Sequence, residues 1–262
     1  MVSNIQASAS RELANVNGHN PSFTATSLPG IPLIKPGDNL GQIILDGLGR
    51  VGIQLQSGDA LVVTSKIVSK AEGRLFDLKV VTAGAEAERL AAETRKDPRI
   101  VELVLQESRL ISRKAPGVLV VQHRLGFVSA NAGIDQSNVE GGDDHVLLLP
   151  LDPDSSAEAI RQKLRVATGA DVGIVISDSH GRPFRMGNVG VAIGVAGMPA
   201  LLDLRGRPDL FGRKLKISIQ GYADLVASAA NLLTGEADEG RPVVHLRGLQ
   251  FPVIEGHASE MI

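Results

Sequence analysis

The chain has 262 residues, 43% hydrophobic and 21% charged, enough to bury a sizeable core in one large or two modest domains. A formal net charge of −2 and only 3% aromatics argue against nucleic acid or an anionic membrane surface as partners. With no cysteine, disulfides, zinc–thiolate sites and thiol nucleophiles are excluded; with no apolar run near the length of a membrane span and no signal-like leader, the expected location is the cytoplasm.

In chain order, residues 1–27 are rich in Ser, Asn, Ala and Thr and read as a weakly ordered N-terminal extension. Leu28–Ile34 predicts a short apolar strand punctuated by prolines, and Pro36-Gly-Asp38 a turn, with Asp38 placed to cap a helix carrying Leu40, Ile43, Ile44 and Leu48. Asp59–Thr64 predicts a buried strand, followed by a polar loop over residues 65–74. Residues 82–111 predict two helices divided at Pro98, the second with Ile100, Leu103, Val104 and Ile111 on one face. Gly117–Gln122 and Gly126–Ala130 predict paired strands. Ser155 and Glu158 have capping-box spacing ahead of a helix with Ile160 and Leu164. Val172–Ser177 predicts a fully buried strand ending at Asp178. Val189–Val195, Leu215–Ile219 and Pro242–Leu246 predict further strands, and Tyr222–Leu233 a helix. The pattern is that of an α+β protein without internal repeats.

Gly47-Leu-Gly-Arg-Val-Gly52 matches a dinucleotide fingerprint in letters only. That motif must follow a strand, whereas the residues before it have helical periodicity, so a helix end is the better reading. Three other segments bring more chemistry. Thr64–Gly73 follows a buried strand with Ser65, Lys66 and Lys70, hydroxyl and ammonium donors of the kind phosphate oxygens need; the alternative is a solvated loop. Ser129–Asn138 places Asp135 in a small, polar, permissive stretch. Val172–Arg185 puts Asp178 and Ser179 after a buried strand, where a hard cation bridging phosphates would find oxygen ligands. Capping and turn roles compete for both aspartates. His180 reads as a structural imidazole ahead of a base or ligand, and Arg182 and Arg185 as phosphate neutralisers or surface cations.

Five stretches in order, GIPLIKPGDNL (30–40), SGDALVVTSKIVSKAEGR (57–74), RLGFVSANAGIDQSNVEGG (124–142), VISDSHGRPFRMGNVGVAIGVAG (175–197) and TGEADEGRPVVHLRG (234–248), resemble the coenzyme F420:L-glutamate ligase (CofE-like) family. The resemblance implies a fold of two intertwined parts over residues 28–262, a homodimer, and a ligase that uses GTP to join L-glutamate to F420-0 through an acyl phosphate. It implies that Ile31, Pro32, Leu33, Ile34, Ser65, Lys66, Lys70 and Asn138 contact the nucleotide, and that the turn Thr234, Gly235, Glu236, Ala237, Asp238, Glu239, Gly240 and Arg241 closes over it. Asp135, Asp178, Ser179 and Glu236 would hold two divalent ions, Mg²⁺ or Mn²⁺, with K⁺ as an additional ion; Asp135, Asp178 and Lys70 would carry the catalysis. Two departures stand out: Ser179 where the family often has Thr, and Glu236 where it often has Gln, which adds a negative charge. A metal-dependent phosphohydrolase and a non-catalytic guanine-nucleotide module are the competing functions.

Overall fold

The computed structural model describes residues 21–262. Strands are β1 Thr24–Ser27, β2 Ala60–Thr64, β3 Leu75–Asp77, β4 Ser108–Ala115, β5 Val118–His123 and β6 Val128–Ala130, then β7 His145–Leu147, β8 Gly173–Arg182, β9 Arg185–Ala196, β10 Leu201–Asp203, β11 Ile219–Gly221 and β12 Val243–Arg247. Helices are α1 Leu40–Arg50, α2 Ser65–Ala71, α3 Ala85–Thr94, α4 Pro98–Gln106, α5 Pro153–Thr168 and α6 Tyr222–Thr234. The architecture is α+β, as the sequence pattern predicts.

A five-stranded sheet in the order β1-β12-β2-β8-β9 forms the frame; only β2 and β8 run parallel. Alternate side chains feed two cores. Leu61, Val63, Ile174 and Ile176 share one with Ile44 and Leu48 of α1 and Ile160 and Leu164 of α5. Val62, Val175, Val244 and Leu246 share the other with Ala223, Val226, Ala227 and Ala230 of α6. Burying each such Leu or Ile contributes on the order of 2 kcal/mol. A separate three-stranded sheet, β4-β5-β6, has its own cluster with α3 and α4 around Leu90, Val104 and Val121.

Several local expectations change. The N-terminal strand is Thr24–Ser27, paired with β12, and Leu28–Ile34 is irregular; residues 1–20 of the expected extension lie outside the described residues. Asn39, not Asp38, caps α1, accepting from the Gln42 amide at 3.1 Å, while Asp38 accepts from the Lys35 amide at 2.8 Å. The fingerprint-like glycines close α1, as the periodicity predicts. The expected polar loop 65–74 is mostly the helix α2. Ile111 lies in β4, since α4 ends at Gln106. Asp152 caps α5 in place of Ser155, accepting from the Ser155 amide at 3.0 Å with Pro153 in the first turn. Leu215 belongs to an irregular hairpin arm, its amide bonded to Arg207 O at 2.9 Å, and the regular strand starts only at Ile219.

The change that matters most for function concerns β8. It does not end at Asp178 but runs to Arg182 as a hairpin with β9. Only the pairing to β2 stops, at Thr64 opposite Ser177. A bulge in β9 shifts the register between Ile176↔Gly194 and Ser177↔Ala192. The Ala192 and Val195 amides beside it donate to Asp224 Oδ1 at 2.8 Å and Asp154 Oδ1 at 2.7 Å. Two helices thus pin the bulge through carboxylates just where β8 leaves the core.

Candidate functional site

Past Ser177, β8 has a partner on one edge only among the described residues, and its side chains still alternate. Asp178 and His180 face the α2 side with Ile176, whereas Ser179 faces the α6 side. Their hydrogen bonds agree. Ser65 Oγ, at the start of α2, donates to Asp178 Oδ1 at 2.9 Å, and His180 Nε2 lies 3.0 Å from Asp178 Oδ2. On the other face Ser179 Oγ donates to Glu236 Oε1 at 2.7 Å. The Phe127 ring packs at 5.2 Å from the His180 ring, and both line a cavity of about 270 Å³.

Because 65–71 is a helix, Lys66 and Lys70 stand one turn apart on one face. Lys66 Nζ pairs with Asp135 Oδ2 at 2.8 Å and also donates to Ser137 O at 2.7 Å and Ser137 Oγ at 2.8 Å. Lys70 Nζ donates to Asn138 O at 2.8 Å. Asn138 takes a left-handed φ of 54° and sends its Nδ2 to Ala237 O at 2.7 Å, tying this loop to the turn after α6. Consecutive residues of α2 therefore hold Asp178 and Asp135, which are distant in sequence. Burial works against the Asp135 carboxylate, but Lys66 and the Ser137 amide outweigh it and keep its pKa below the usual range. Burial and the charge of Lys66 push the Lys70 pKa down.

In the turn after α6, Gly235 has a φ of 71° and a ψ of −175°, a backbone conformation that glycine adopts readily and other residues rarely do. Glu239 Oε2 accepts from the Ala237 amide at 2.8 Å, while Asp238, Gly240 and Arg241 are exposed. Thr234 Oγ1 donates inward to Asn231 Oδ1 at 3.0 Å. Among the described residues the segment Ile31–Ile34 makes no side-chain hydrogen bond to these polar groups. Ile34 is buried in the cluster that includes Ile67 and Val68 of α2, Ile31 packs against α1 at Gly47, and Pro32 and Leu33 face solvent. Arg182 folds back on its own hairpin turn, donating to Met186 O at 3.0 Å.

Asp178, Ser179 and Glu236 offer oxygen donors only, which suits a hard divalent cation. Such ions commonly take one or two carboxylates and fill the rest of the shell with phosphate and water. Among the described residues no three His, Asp or Glu side chains group together, so an ion here would depend on phosphate oxygens. Two participants escape sequence reasoning. Ser137, which shares Lys66 with Asp135, has no spacing signal, and Asn231, which donates to Glu236 at 3.0 Å, sits inside an ordinary helical pattern.

A family model described as F420-0:Gamma-glutamyl ligase matches residues 30–248. The coenzyme F420:L-glutamate ligase of Methanopyrus kandleri is 46% identical over 233 residues, 89% of this chain and 90% of the relative. The enzyme of the same name from Methanothermobacter thermautotrophicus is 46% identical over 219 residues, 84% of this chain and 86% of the relative. That of Methanocaldococcus jannaschii is 42% identical over 234 residues, 88% and 90%. By class the protein is an enzyme, a ligase. The chain belongs to the F420-0:gamma-glutamyl ligase family. Among the described residues, no helix is long and apolar enough to cross a membrane.

Proposed function

We propose that the chain is a GTP-dependent amide-forming ligase that adds L-glutamate to coenzyme F420-0, and then further γ-linked glutamates, in the cytoplasm. The supporting observation is that α2 pairs with both aspartates, Ser65 with Asp178 and Lys66 with Asp135, while Lys70 holds Asn138, Asn138 holds the turn after α6 and Ser179 holds Glu236, in a chain of this family.

A carboxylate resists attack by an amine because its oxygen is a poor leaving group. In the first step an oxygen of the F420-0 carboxylate attacks the γ-phosphorus of GTP, the β–γ bridging P–O bond breaks, and GDP leaves. In the second the α-amino nitrogen of glutamate attacks the acyl carbon, the C–O bond to phosphate breaks, and the nitrogen loses its proton to solvent. Such phosphoryl transfer depends on positioning and charge neutralisation. Lys66 and Lys70 would release Asp135, Ser137 and Asn138 to meet phosphate oxygens, with Ser65 donating beside them, and Ile31–Ile34 would lie along the nucleotide. Asp135, Asp178, Ser179 and Glu236 would hold two divalent cations, Mg²⁺ or Mn²⁺, with K⁺ as an additional ion. When bound, these supply positive charge against the triphosphate. The Asn138–Ala237 bond gives the turn 234–241 a point of attachment from which to close over the nucleotide.

A homodimer of two intertwined parts fits the same reading. Phe184 and Met186 at one hairpin turn, and Leu210, Phe211 and Ile217 along the arm between β10 and β11, are almost wholly exposed and would be covered by a second copy.

Incubation with F420-0, GTP, L-glutamate and Mn²⁺ or Mg²⁺, followed by mass spectrometry, tests the function. Glutamyl products and glutamate-dependent GDP are expected. Phosphate release without glutamate would mark a phosphohydrolase, and GTP binding without turnover a nucleotide-binding module. Lys70→Ala should weaken GTP binding roughly 10- to 100-fold, the value of a hydrogen bond to a charged group, with a smaller effect on glutamate. Unchanged GTP affinity by calorimetry would remove Lys70 from the phosphate site.

A further inference from the structure

Glu236 sits on an exposed turn, one residue beyond Gly235, where a free glutamate side chain would sample many rotamers. Two donors restrain it. Ser179 Oγ reaches Oε1 at 2.7 Å, and Asn231 Nδ2, from the last turn of α6, reaches the same oxygen at 3.0 Å. Among the described residues no hydrogen bond reaches Oε2. The Asn231 amide is itself oriented: its Oδ1 accepts from the buried Thr234 hydroxyl at 3.0 Å, and the opposite flip would set Oδ1 against a carboxylate oxygen. The approach of α6 to β9 puts Asn231 in reach. At Gly190 an added Cβ would stand 2.6 Å from Ala227 O and 3.1 Å from Asn231 Cβ, and Ser228 Oγ donates to Gly190 O at 2.7 Å. A glycine and a serine thus seat the end of α6 against the hairpin that carries Ser179.

We infer that Asn231 is a positioning residue for the cation-binding carboxylate of Glu236, holding Oε1 toward β8 and leaving Oε2 free to ligate. The inference rests on the ligase reading above. A carboxylate gathered in advance need not be ordered when the ion arrives, and outer partners of this kind typically change metal affinity 10- to 100-fold.

The test is Mn²⁺ binding by calorimetry to the full chain saturated with a non-hydrolysable GTP analogue, which supplies the phosphate oxygens, with the thermal melt of each variant taken alongside. Asn231→Ala should weaken Mn²⁺ about tenfold and should do nothing further in a Glu236→Ala background, because its effect runs through that carboxylate. Thr234→Val, which frees the Asn231 amide while keeping its shape, should weaken Mn²⁺ by less than about tenfold, again only while Glu236 is present; it serves where Asn231→Ala does not fold. A wild-type chain that binds Mn²⁺ and makes glutamate-dependent GDP, with both variants unchanged in affinity, overturns the inference alone. So does an equal loss with and without Glu236, which would mark a purely structural role. A wild-type chain that neither binds Mn²⁺ nor turns over overturns the inference together with the ligase reading.

Discussion

Asp178→Asn is expected to lower glutamate-dependent turnover by roughly a hundredfold or more, since partners that merely support a metal ligand already cost 10- to 100-fold. The substitution keeps the shape and keeps an oxygen to accept from Ser65 Oγ, now 2.9 Å from Oδ1. What it removes is the charge and the second oxygen, the one 3.0 Å from His180 Nε2. An amide nitrogen carries no lone pair for a cation, so the loss should fall on the chemical step and grow as Mn²⁺ becomes limiting. Stability should stay within about 1 kcal/mol of wild type, because the side chain is partly exposed and a change of His180 tautomer lets Nε2 accept from the new NH₂. Turnover measured across a Mn²⁺ titration, beside a thermal melt, separates the two effects. Wild-type turnover at limiting Mn²⁺ would end the assignment of Asp178 as a ligand.

The segments around Asp178 show how far the sequence could be read. Val172–Ser177 is legible as a buried strand because both its faces meet core, and the apolar run stops where burial stops. The strand itself does not stop there, because pairing with β9 continues after pairing with β2 has ended, and an exposed hairpin carries no apolar signal. Residues 65–71 were hidden for the opposite reason. Serines and lysines suggest a loop, yet Ile67 and Val68 are buried, Lys66 and Lys70 are spaced one turn apart, and the helix holds through its tertiary contacts. The polar residues of the site were legible as types, and the ordered motifs carried the family. Their pairing was not, because it depends on β2 and β8 lying side by side and α2 turning back beneath the 134–138 loop. Asn231 lay beyond reach altogether, since nothing in a helical pattern distinguishes an asparagine that faces a carboxylate from one that faces water.

Glu107→Gln is expected to destabilise the fold by about 3 kcal/mol, close to the cost of breaking a buried ion pair from one side. Glu107 is buried at the end of α4 and joins two parts of the chain. Oε1 accepts from Arg74 Nη2 at 2.8 Å and Oε2 from Arg124 Nε at 2.9 Å. His123 Nε2 stands 3.5 Å from Oε2, too long for a good hydrogen bond, so the two guanidinium groups carry most of the attraction. Burial opposes ionisation, the pairing outweighs it, and the pKa falls from 4.5 to about 2. A folded-state pKa below the unfolded one gives stability that is complete above about pH 4.5 and drains away as the pH falls towards 2. A gap of this size corresponds to about 3 kcal/mol. Other lowered carboxylates, Asp59 and Asp135 among them, act in the same sense, so the informative quantity is the difference between the two proteins. Denaturant unfolding at pH 7 and at steps from 4.5 to 3 should show the variant weaker at neutrality, with the gap to wild type narrowing in acid. Parallel curves over that range would mean that the Glu107 charge does not hold this corner together.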